Sequence, residues 1–486
     1  MAMKVSYLGP KGSFSEIALF NYFDTSNTES VSESSIANVF RSVETKESDY
    51  GIIPIENSIE GSINNTHDLL IKSDVIISGE MELPNEVVKQ AIKIWPVNER
   101  DFYIIFDDSI TGAKIMRSEQ SESSRRIMER ADKPYYEYRD TVSSTLAPFR
   151  PEWIMELCYV KDNDPNNPSV QWNHGHFMHQ FTYFIGDVNF YYKGSDDSKN
   201  VAVMNTGDSM YITPFTPHTF ATRAGAKQNG LILALTFGNK ILGDVKQELS
   251  AISSELGHEF ALDFSSNSQI ISSLLKFHRQ MSSIGIKELS ERTKIDKDKI
   301  EKFESDILEP SQSEIQSIAN VLNVNVRDLI PNDKIEDKVI IKHHDEAKTW
   351  NFPEDEKRYH FTELANSKTL PYSKPFEIDV CYNDKKSIMD LKMGLHQYVY
   401  NISSENISFN WLFDDKLHSE IIHPGDSVYI KPFVGHNFRG NGKLLVLRLG
   451  GKIIGDSQRE LSIIGKENVK RAVDESMQWF DPKGHD

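Results

Sequence analysis

The pattern of apolar and polar positions divides the 486-residue chain into segments with different periodicities. Near the N-terminus, strand-like runs at 4–8 and 50–55 enclose helical spacing at 14–22 and 35–45, which predicts a βαβ arrangement. Between 133 and 250 the pattern changes to short strands separated by Gly and Asp turns, as in a small antiparallel barrel. Helical spacing returns over 268–331, and strands return over 375–470.

The second strand-rich region repeats the first. The run Gly425 to Phe433 corresponds to Gly207 to Phe215, and His436 corresponds to His218. His396 and Gln397 correspond to His179 and Gln180, whereas Met393 stands where the first copy has His176. An internal repeat of this length indicates a duplicated domain, and we interpret the second copy as structural because it lacks part of the polar set.

These observations predict a multidomain protein that is mainly β with α. Two cupin-type β-barrels flank a helix-turn-helix module, and a partial α/β segment precedes them. The predicted boundaries are 1–90 for the α/β segment, 91–130 for a connector that ends in a helix around 121–130, 131–255 for the catalytic barrel, 265–332 for the helical module and 340–475 for the degenerate second barrel.

Composition narrows the functional classes. A formal net charge of −18 and a pI of about 5.4 argue against general affinity for nucleic acids or anionic membranes. Two cysteines far apart in sequence, Cys158 and Cys381, argue against a disulfide framework. Without an N-terminal apolar signal or a long apolar run, we expect a cytoplasmic protein that spans no membrane.

The candidate chemistry is concentrated between residues 171 and 220. His174, His176 and His179 lie within six positions beside Gln180, and His218 follows the next strand-turn-strand run. A single histidine is more often an ordinary hydrogen-bonding residue, but this cluster favours a transition-metal site. Strand alternation would place residues 176 and 180 on one face, and a neighbouring strand would bring residue 218 to the same interior point.

The ligand set departs from the usual pattern of open iron sites. Such sites use two histidines and one carboxylate, yet Ile212 occupies the strand position where a carboxylate is expected. We therefore predict that Gln180 is the third ligand, beside His176 and His218. His174 and His179 either support these ligands or lie on the other face of the strand.

The order of residues in 268–331 resembles the five-helix Cro/repressor type of helix-turn-helix domain. Its presumed recognition helix, 297–304, balances three lysines against three acidic residues. Because phosphate contacts dominate DNA affinity, and no Arg or Asn is placed to read base edges, we expect packing or oligomerisation instead of DNA binding. A transcriptional regulator with a ligand-sensing cupin nevertheless remains an alternative.

Residues 8–15, 53–62 and 79–81 closely resemble the beginning of prephenate dehydratases. The Thr-Arg-Phe motif that carries the chemistry of that family does not occur in this chain, where Thr222-Arg223 is followed by Ala224. We therefore expect this segment to serve in folding or docking and to have no dehydratase activity.

The order barrel, helix-turn-helix and barrel, with ligands only in the first barrel, resembles the hydroxyethylphosphonate dioxygenase and methylphosphonate synthase group of non-haem iron enzymes. Gln180 together with Ile212 matches the methylphosphonate synthase branch, which implies Fe(II) held by His176, Gln180 and His218. The resemblance also implies that Arg130, Tyr138 and Asn173 contact the phosphonate substrate, although Arg130 could equally be a solvated helix charge. The lysine with which the family closes over the phosphonate has no assigned counterpart in this chain.

The implied reaction uses O2 to cleave the carbon–carbon bond of 2-hydroxyethylphosphonate, giving methylphosphonate and bicarbonate or CO2. The nearest alternative gives hydroxymethylphosphonate and formate at the same site. We expect a homo-oligomer, because the duplicated barrels have large apolar strands.

Overall fold

The computed structural model of the chain describes residues 3–57, 61, 62, 66, 69, 70, 72–79, 105, 107–147, 149–238, 241, 244–252, 254–330, 338–382 and 389–476. The chain separates into two compact units, one formed by 1–105 with 455–486 and the other by 106–454. Within the described ranges, no helix has both the length and the apolar character needed to cross a membrane.

The strands are β1 Met3–Leu8, β2 Thr28–Glu33, β3 Tyr50–Ile52, β4 Glu56–Asn57, β5 Gly61–Ser62, β6 Ala113–Met116, β7 Arg126–Arg130, β8 Lys133–Asp140, β9 Arg150–Glu156, β10 Tyr159–Val160, β11 His179–Ile185, β12 Val188–Lys193, β13 Lys199–Met204, β14 Ser209–Ile212, β15 His218–Arg223, β16 Leu231–Phe237, β17 Val339–Lys342, β18 Thr349–Phe352, β19 Tyr359–Glu363, β20 Ser373–Tyr382, β21 His396–Asn401, β22 Ile407–Phe413, β23 Lys416–Ile422, β24 Ser427–Ile430 and β25 Gly435–Leu449.

The α-helices are α1 Phe14–Tyr22, α2 Ile36–Glu44, α3 Ser118–Ser123, α4 Asp244–Ile252, α5 Ser254–Gly257, α6 Asn267–Met281, α7 Ile286–Thr293, α8 Lys297–Glu304, α9 Gln312–Leu322, α10 Asp456–Ile463 and α11 Val469–Ser476. Among the described residues, single 3-10 turns lie at Thr25–Asn27, His258–Phe260, Val326–Asp328, His344–Glu346 and Lys466–Asn468.

The first unit contains a small α/β layer. Its parallel sheet has the order β2-β1-β3, and the parallel connections run through α1 and α2. Val5 and Tyr7 pack with Leu19 of α1, whereas the next residue of β1, Leu8, packs with α2. Alternation along β1 thus covers both sheet faces, and the βαβ pattern is confirmed. The part of this segment after residue 79 lies outside the described residues.

Two β modules make up most of the second unit, which confirms a mainly β protein with helices. The first β module has a seven-stranded sheet, β17-β14-β11-β16-β9-β8-β7, and a four-stranded sheet, β10-β15-β12-β13. The second β module has the sheet β18-β19-β20-β25-β21-β24-β6, together with β22 and β23. Between the two sheets of the first β module lies an apolar interior to which both contribute side chains.

Each β module includes one strand that lies outside the module's own stretch of the sequence. Strand β6 precedes the first β module but pairs with β24 of the second, and β17 follows the helical segment but pairs with β14 of the first.

Much of the connector predicted over 91–130 lies outside the described residues, and the prediction that it ends in a helix is wrong. Helix α3 stops at Ser123, and 126–130 forms β7, because pairing with β8 outweighs the local helical spacing.

The two β modules share a large aromatic and aliphatic core. Trp153 of β9 meets Tyr400 of β21, with ring centroids 5.8 Å apart. Within this contact, the buried carboxylate of Glu377 accepts hydrogen bonds from the Tyr183 hydroxyl at 2.5 Å and from Nε2 of His344 at 3.0 Å, and it pairs with Lys443. The modules are therefore joined by apolar burial and by a satisfied buried charge.

The helical segment between the modules has a core of its own, formed by α6 to α9. Helix α8 occupies 297–304, the bounds predicted for the recognition helix. Two lysines of this helix pair with acidic residues of the same segment: Lys297 lies 3.3 Å from Glu301, and Lys299 contacts Glu314. Two of the three lysines of the helix are therefore paired with acidic residues.

We expect Glu377→Gln to lower the free energy of unfolding by about 2–3 kcal/mol, because Lys443 would lose its buried counter-charge. Burial alone would raise the pKa of Glu377, but hydrogen bonds from Lys443 and Tyr183 lower it below its usual value. The carboxylate therefore stabilises the fold above its unfolded-state pKa, and this contribution is lost as the pH falls through the folded-state pKa. Urea unfolding at several pH values measures both effects.

Asp379→Asn is the matched control, because Asp379 lies on the same strand and faces the same lysine at 3.6 Å but is more exposed. It should change the free energy of unfolding by less than about 1 kcal/mol. Equal losses in the two variants would contradict the role given to the buried carboxylate.

Candidate metal centre

Strand β11 presents different residues to its two sides. Phe181 and Tyr183 point into the core shared by the β modules, so Gln180 and Thr182 point into the first β module. Gln180 lies directly opposite Ile212 of β14 in the antiparallel register, and both side chains are buried. The strand bearing Ile212 therefore pairs beside the strand bearing Gln180, as expected from the sequence.

His176 lies in an irregular segment before β11, so the expectation that strand alternation positions it is wrong. A contact between loops positions it instead, since the carbonyl of His176 accepts a hydrogen bond from the Phe215 N–H at 2.8 Å. Gly175 makes this approach possible: its φ is +76°, and a Cβ atom there would lie 2.6 Å from the Phe215 carbonyl carbon.

The three predicted ligands converge. Nε2 of His176 lies 3.0 Å from Oε1 of Gln180, and the rings of His176 and His218 are 5.2 Å apart, nearly perpendicular at 86°. Two further contacts orient the first pair: Nδ1 of His176 lies 2.9 Å from the Met178 carbonyl, and Nε2 of Gln180 donates to Thr182 Oγ1 at 2.9 Å.

This orientation leaves two lone pairs facing each other. If Nδ1–H of His176 donates to the Met178 carbonyl, its Nε2 is unprotonated and faces an amide oxygen that also only accepts. A cation between them resolves that repulsion, and adjacent octahedral ligands about 2.1 Å from one ion lie about 3 Å apart. The donor set of two imidazoles and one amide oxygen therefore fits a first-row transition metal.

His218 begins β15 in the opposite sheet, and the interior of the module buries it. Its Nδ1 lies 2.8 Å from the Thr216 carbonyl, so that Nε2 carries the lone pair that can bind a metal. Burial lowers the pKa of His218 to about 3, so the ring is neutral at physiological pH. Asn173 binds the same histidine twice, with Oδ1 accepting from its backbone N–H at 2.8 Å and Nδ2 lying 3.2 Å from Nε2.

The other two histidines of the cluster lie apart from this point. His174 is exposed. His179 faces the core shared by the modules, where its Nδ1 lies 2.5 Å from the Tyr211 hydroxyl and burial lowers its pKa to about 4. His396 makes the same contact with Tyr429 at 2.7 Å in the second β module, which indicates a structural role for this pair.

Arg130 ends strand β7 and is not a helix residue. Its Nη1 donates to the Gln171 carbonyl at 2.7 Å and to Thr219 Oγ1 at 3.3 Å, and its guanidinium lies over the rings of Tyr135 and Tyr136. Within the described part of the chain, no carboxylate forms an ion pair with it. Its charge contributes to the lowered pKa of His218, which places the guanidinium near the ligands.

Tyr138 lines the same interior from β8. Burial raises its pKa to about 12, and the charge of Arg130 acts in the opposite direction. No hydrogen bond of its hydroxyl occurs among the described residues, so this group is available to a ligand. Arg130, Tyr138 and Asn173 thus lie in or beside the interior that holds the three predicted ligands.

In the second β module, a side-chain cation faces the equivalent amide. Gln397 and His436 match Gln180 and His218, and Nδ1 of His436 again lies 2.8 Å from a carbonyl two residues earlier. Nε of Arg448 donates to Gln397 Oε1 at 3.3 Å, and Arg448 holds the register position that Thr236 holds in the first module. A guanidinium therefore faces the amide oxygen whose counterpart faces His176 in the first module.

Sequence reasoning missed three residues of these interiors. Thr182 orients the Gln180 amide, Arg448 occupies the second module, and Glu156 is a fully buried carboxyl group near Arg130. A charged residue at an inward position of an otherwise apolar strand could have pointed to Glu156, which ends the run Trp-Ile-Met-Glu at 153–156. No group of three or more His, Cys, Asp or Glu arranged for a metal occurs in the described ranges.

The N-terminal segment matches one known family. Residues 5–90 match the prephenate dehydratase family. Over 82 residues, the chain is 46% identical to the bifunctional chorismate mutase/prephenate dehydratase of Aquifex aeolicus (strain VF5), which covers 17% of this chain and 22% of that protein. The likeness therefore spans about a fifth of the dehydratase.

Most of the chain matches proteins solved with phosphonates bound. Hydroxyethylphosphonate dioxygenase from Streptomyces albus, solved with 2-hydroxyethylphosphonate and Fe(II) bound, superimposes with a TM-score of 0.74 at 29% identity, covering 90% of this chain and 96% of that one. PhpD with cadmium, complexed with hydroethylphosphonate (HEP), shares the fold, with a TM-score of 0.59 at 18% identity over 74% and 84% of the two chains.

One curated relative decides the family. Over 409 residues, the chain is 57% identical to the methylphosphonate synthase of Nitrosopumilus maritimus (strain SCM1), and the alignment covers 84% of this chain and 89% of that protein. The chain therefore belongs to the methylphosphonate synthase family of non-haem iron oxygenases.

Proposed function

We propose that this protein uses Fe(II) and O2 to cleave the carbon–carbon bond of 2-hydroxyethylphosphonate, giving methylphosphonate and bicarbonate or CO2. The observation that carries the proposal is the cross-strand pair of Gln180 with Ile212. An amide oxygen lies 3.0 Å from His176 Nε2, and an aliphatic side chain stands beside it where a carboxylate would otherwise reach the same point.

His176, Gln180 and His218 would hold the iron, which when bound supplies the redox chemistry for O2. All three ligands are neutral, so the ion keeps its full charge toward an anionic substrate. Because an amide is a weaker donor than a carboxylate, we expect the iron to be held loosely.

The phosphonate would bind to Arg130, whose guanidinium has no carboxylate partner among the described residues and offers a forked, charge-assisted contact. The hydroxyl of Tyr138 and the Nδ2 group of Asn173 are hydrogen-bond donors at the same interior. Apolar side chains from both sheets lie around these groups and lower the local dielectric constant, which strengthens each electrostatic contact.

The finer architecture forms part of this proposal. We interpret the two β modules as cupin-type barrels, the first catalytic and the second degenerate, and helices α6 to α9 as a helix-turn-helix module that serves packing. The paired lysines of α8 count against a DNA-binding regulator. Tight, sequence-selective gel shifts at physiological salt would favour the regulator.

The reaction itself is tested by loading the protein anaerobically with Fe(II), adding 2-hydroxyethylphosphonate and air, and recording the phosphorus NMR spectrum. We expect a methylphosphonate signal. Hydroxymethylphosphonate would keep the site but overturn the product assignment. Absence of turnover with one iron bound per chain would overturn the proposed substrate.

The ligand assignment is tested by Gln180→Ala, which should weaken Fe(II) binding at least about tenfold, since even supporting residues of metal sites cost that much. Gln397→Ala is the matched control in the second β module and should leave the bound iron unchanged. Adding Ile212→Glu to Gln180→Ala should restore iron binding, because the new carboxylate lies opposite the lost amide. Equal iron affinity in Gln180→Ala and the wild type, by anaerobic titration, would exclude Gln180 as a ligand.

The phosphonate contact is tested by Arg130→Lys, which keeps the charge but removes the fork. We expect the KM for 2-hydroxyethylphosphonate to rise about tenfold or more. Arg126→Lys, on the same strand but paired with Asp140 at 2.8 Å, should leave KM within about twofold. A similar KM in both variants would remove Arg130 from the substrate site.

A further inference from the structure

A carboxyl group without a hydrogen-bond partner lies inside the first β module. Glu156, the last residue of β9, is 0% exposed, and neither of its carboxyl oxygens has a partner in the described part of the chain. Its backbone is held on both sides, since its N–H donates to the Gly230 carbonyl and its carbonyl accepts from Thr222 Oγ1, both at 2.8 Å. The side chain is therefore fixed in the interior, where ionisation is strongly disfavoured.

The titratable groups facing Glu156 come from three neighbouring segments. They are Arg130 of β7, Tyr136 and Tyr138 of β8, and Cys158 after β9. Tyr136 is the cross-strand neighbour of Glu156, and its ring centroid lies 4.9 Å from the guanidinium of Arg130. Burial raises the pKa of Glu156 well above its usual value, and the charge of Arg130 offsets only part of that rise.

We infer that Glu156 is a positioning residue that stays protonated when the phosphonate is bound, so that the positive charge of Arg130 remains available to the substrate. This inference rests on the proposed function, because it requires Arg130 to bind the phosphonate. An ionised Glu156 would compete for the same guanidinium and would repel a phosphonate dianion inside a closed apolar interior. If Glu156 is a carboxylate in the free protein, binding of the phosphonate must be accompanied by uptake of one proton from solvent onto a carboxylate oxygen of Glu156. No other bond forms or breaks.

Glu156→Gln tests this, because glutamine is a neutral side chain of the same shape. In the iron-loaded protein under anaerobic conditions, where no turnover occurs, Glu156→Gln and the wild type should bind 2-hydroxyethylphosphonate with affinities within about twofold at neutral pH. The infrared spectrum of the wild-type complex should contain a carboxylic acid carbonyl band that is absent from the variant.

A pH series extends the test. Between about pH 6 and about pH 10, the ratio of the two affinities should stay constant up to the pH at which the acid band of the free wild-type protein disappears. Above that pH, and as long as the complex keeps its acid band, the wild type should lose about tenfold affinity per pH unit relative to the variant, because binding then takes up one proton. Ionisation of the phosphonate itself affects both proteins equally and cancels in the ratio.

Glu152→Gln is the matched control, since Glu152 lies four residues earlier on β9 and pairs with Arg126. It should behave as the wild type in affinity and retain the acid band. Glu156→Gln binding tenfold or more tightly at neutral pH, or a wild-type complex without the band, would overturn the inference. Failure of the wild type to bind the phosphonate at all would overturn the proposed function instead, and the wild-type band would still decide the protonation of Glu156.

Discussion

Burial of strand β11 on both of its faces is the constraint on which the rest of the structure depends. Phe181 and Tyr183 fill the core between the β modules, and Gln180 and Thr182 face the first interior. A slip of one residue would exchange the two faces, moving an amide into the aromatic core and a ring into the metal centre. The contact between the modules and the position of Gln180, the proposed third ligand, are therefore set by a single register.

The second β module keeps most of the contacts that surround Gln180 and His218 in the first, although it lacks the full set of predicted ligands. It keeps the histidine–carbonyl contact at His436, the buried Gln397 and the histidine–tyrosine pair at the core shared by the modules. The loop contact is also kept, since the Phe433 N–H donates to the Met393 carbonyl at 2.7 Å. The difference lies in the side chains at the centre, where Met393 and Arg448 stand at the positions of His176 and Thr236. Fold and ligand set are thus separable properties of this sequence.

Local patterns predicted the strands and the helices well, because alternation and helical spacing are short-range signals. They also singled out Gln180 and Ile212, which the structure places opposite each other. They could not place β6 or β17, whose pairing partners lie far away in sequence. Arg130 was misplaced for a related reason: a short charged stretch fits a helix as well as an edge strand until β8 pairs with it. Glu156 was missed because only the fold shows which face of β9 is closed.

Because the guanidinium of Arg448 lies beside Gln397, the two β modules depend differently on the supply of metal in a cell. A cation attached to the polypeptide has no dissociation constant, so the second β module keeps its interior charge at any metal concentration. The first must acquire its cation from the surroundings, in our proposal through three neutral ligands. Metal starvation would then empty one half while the other, joined to it through a common core, continues to act as a scaffold. The duplicated module thereby separates the persistence of the fold from the availability of the cofactor.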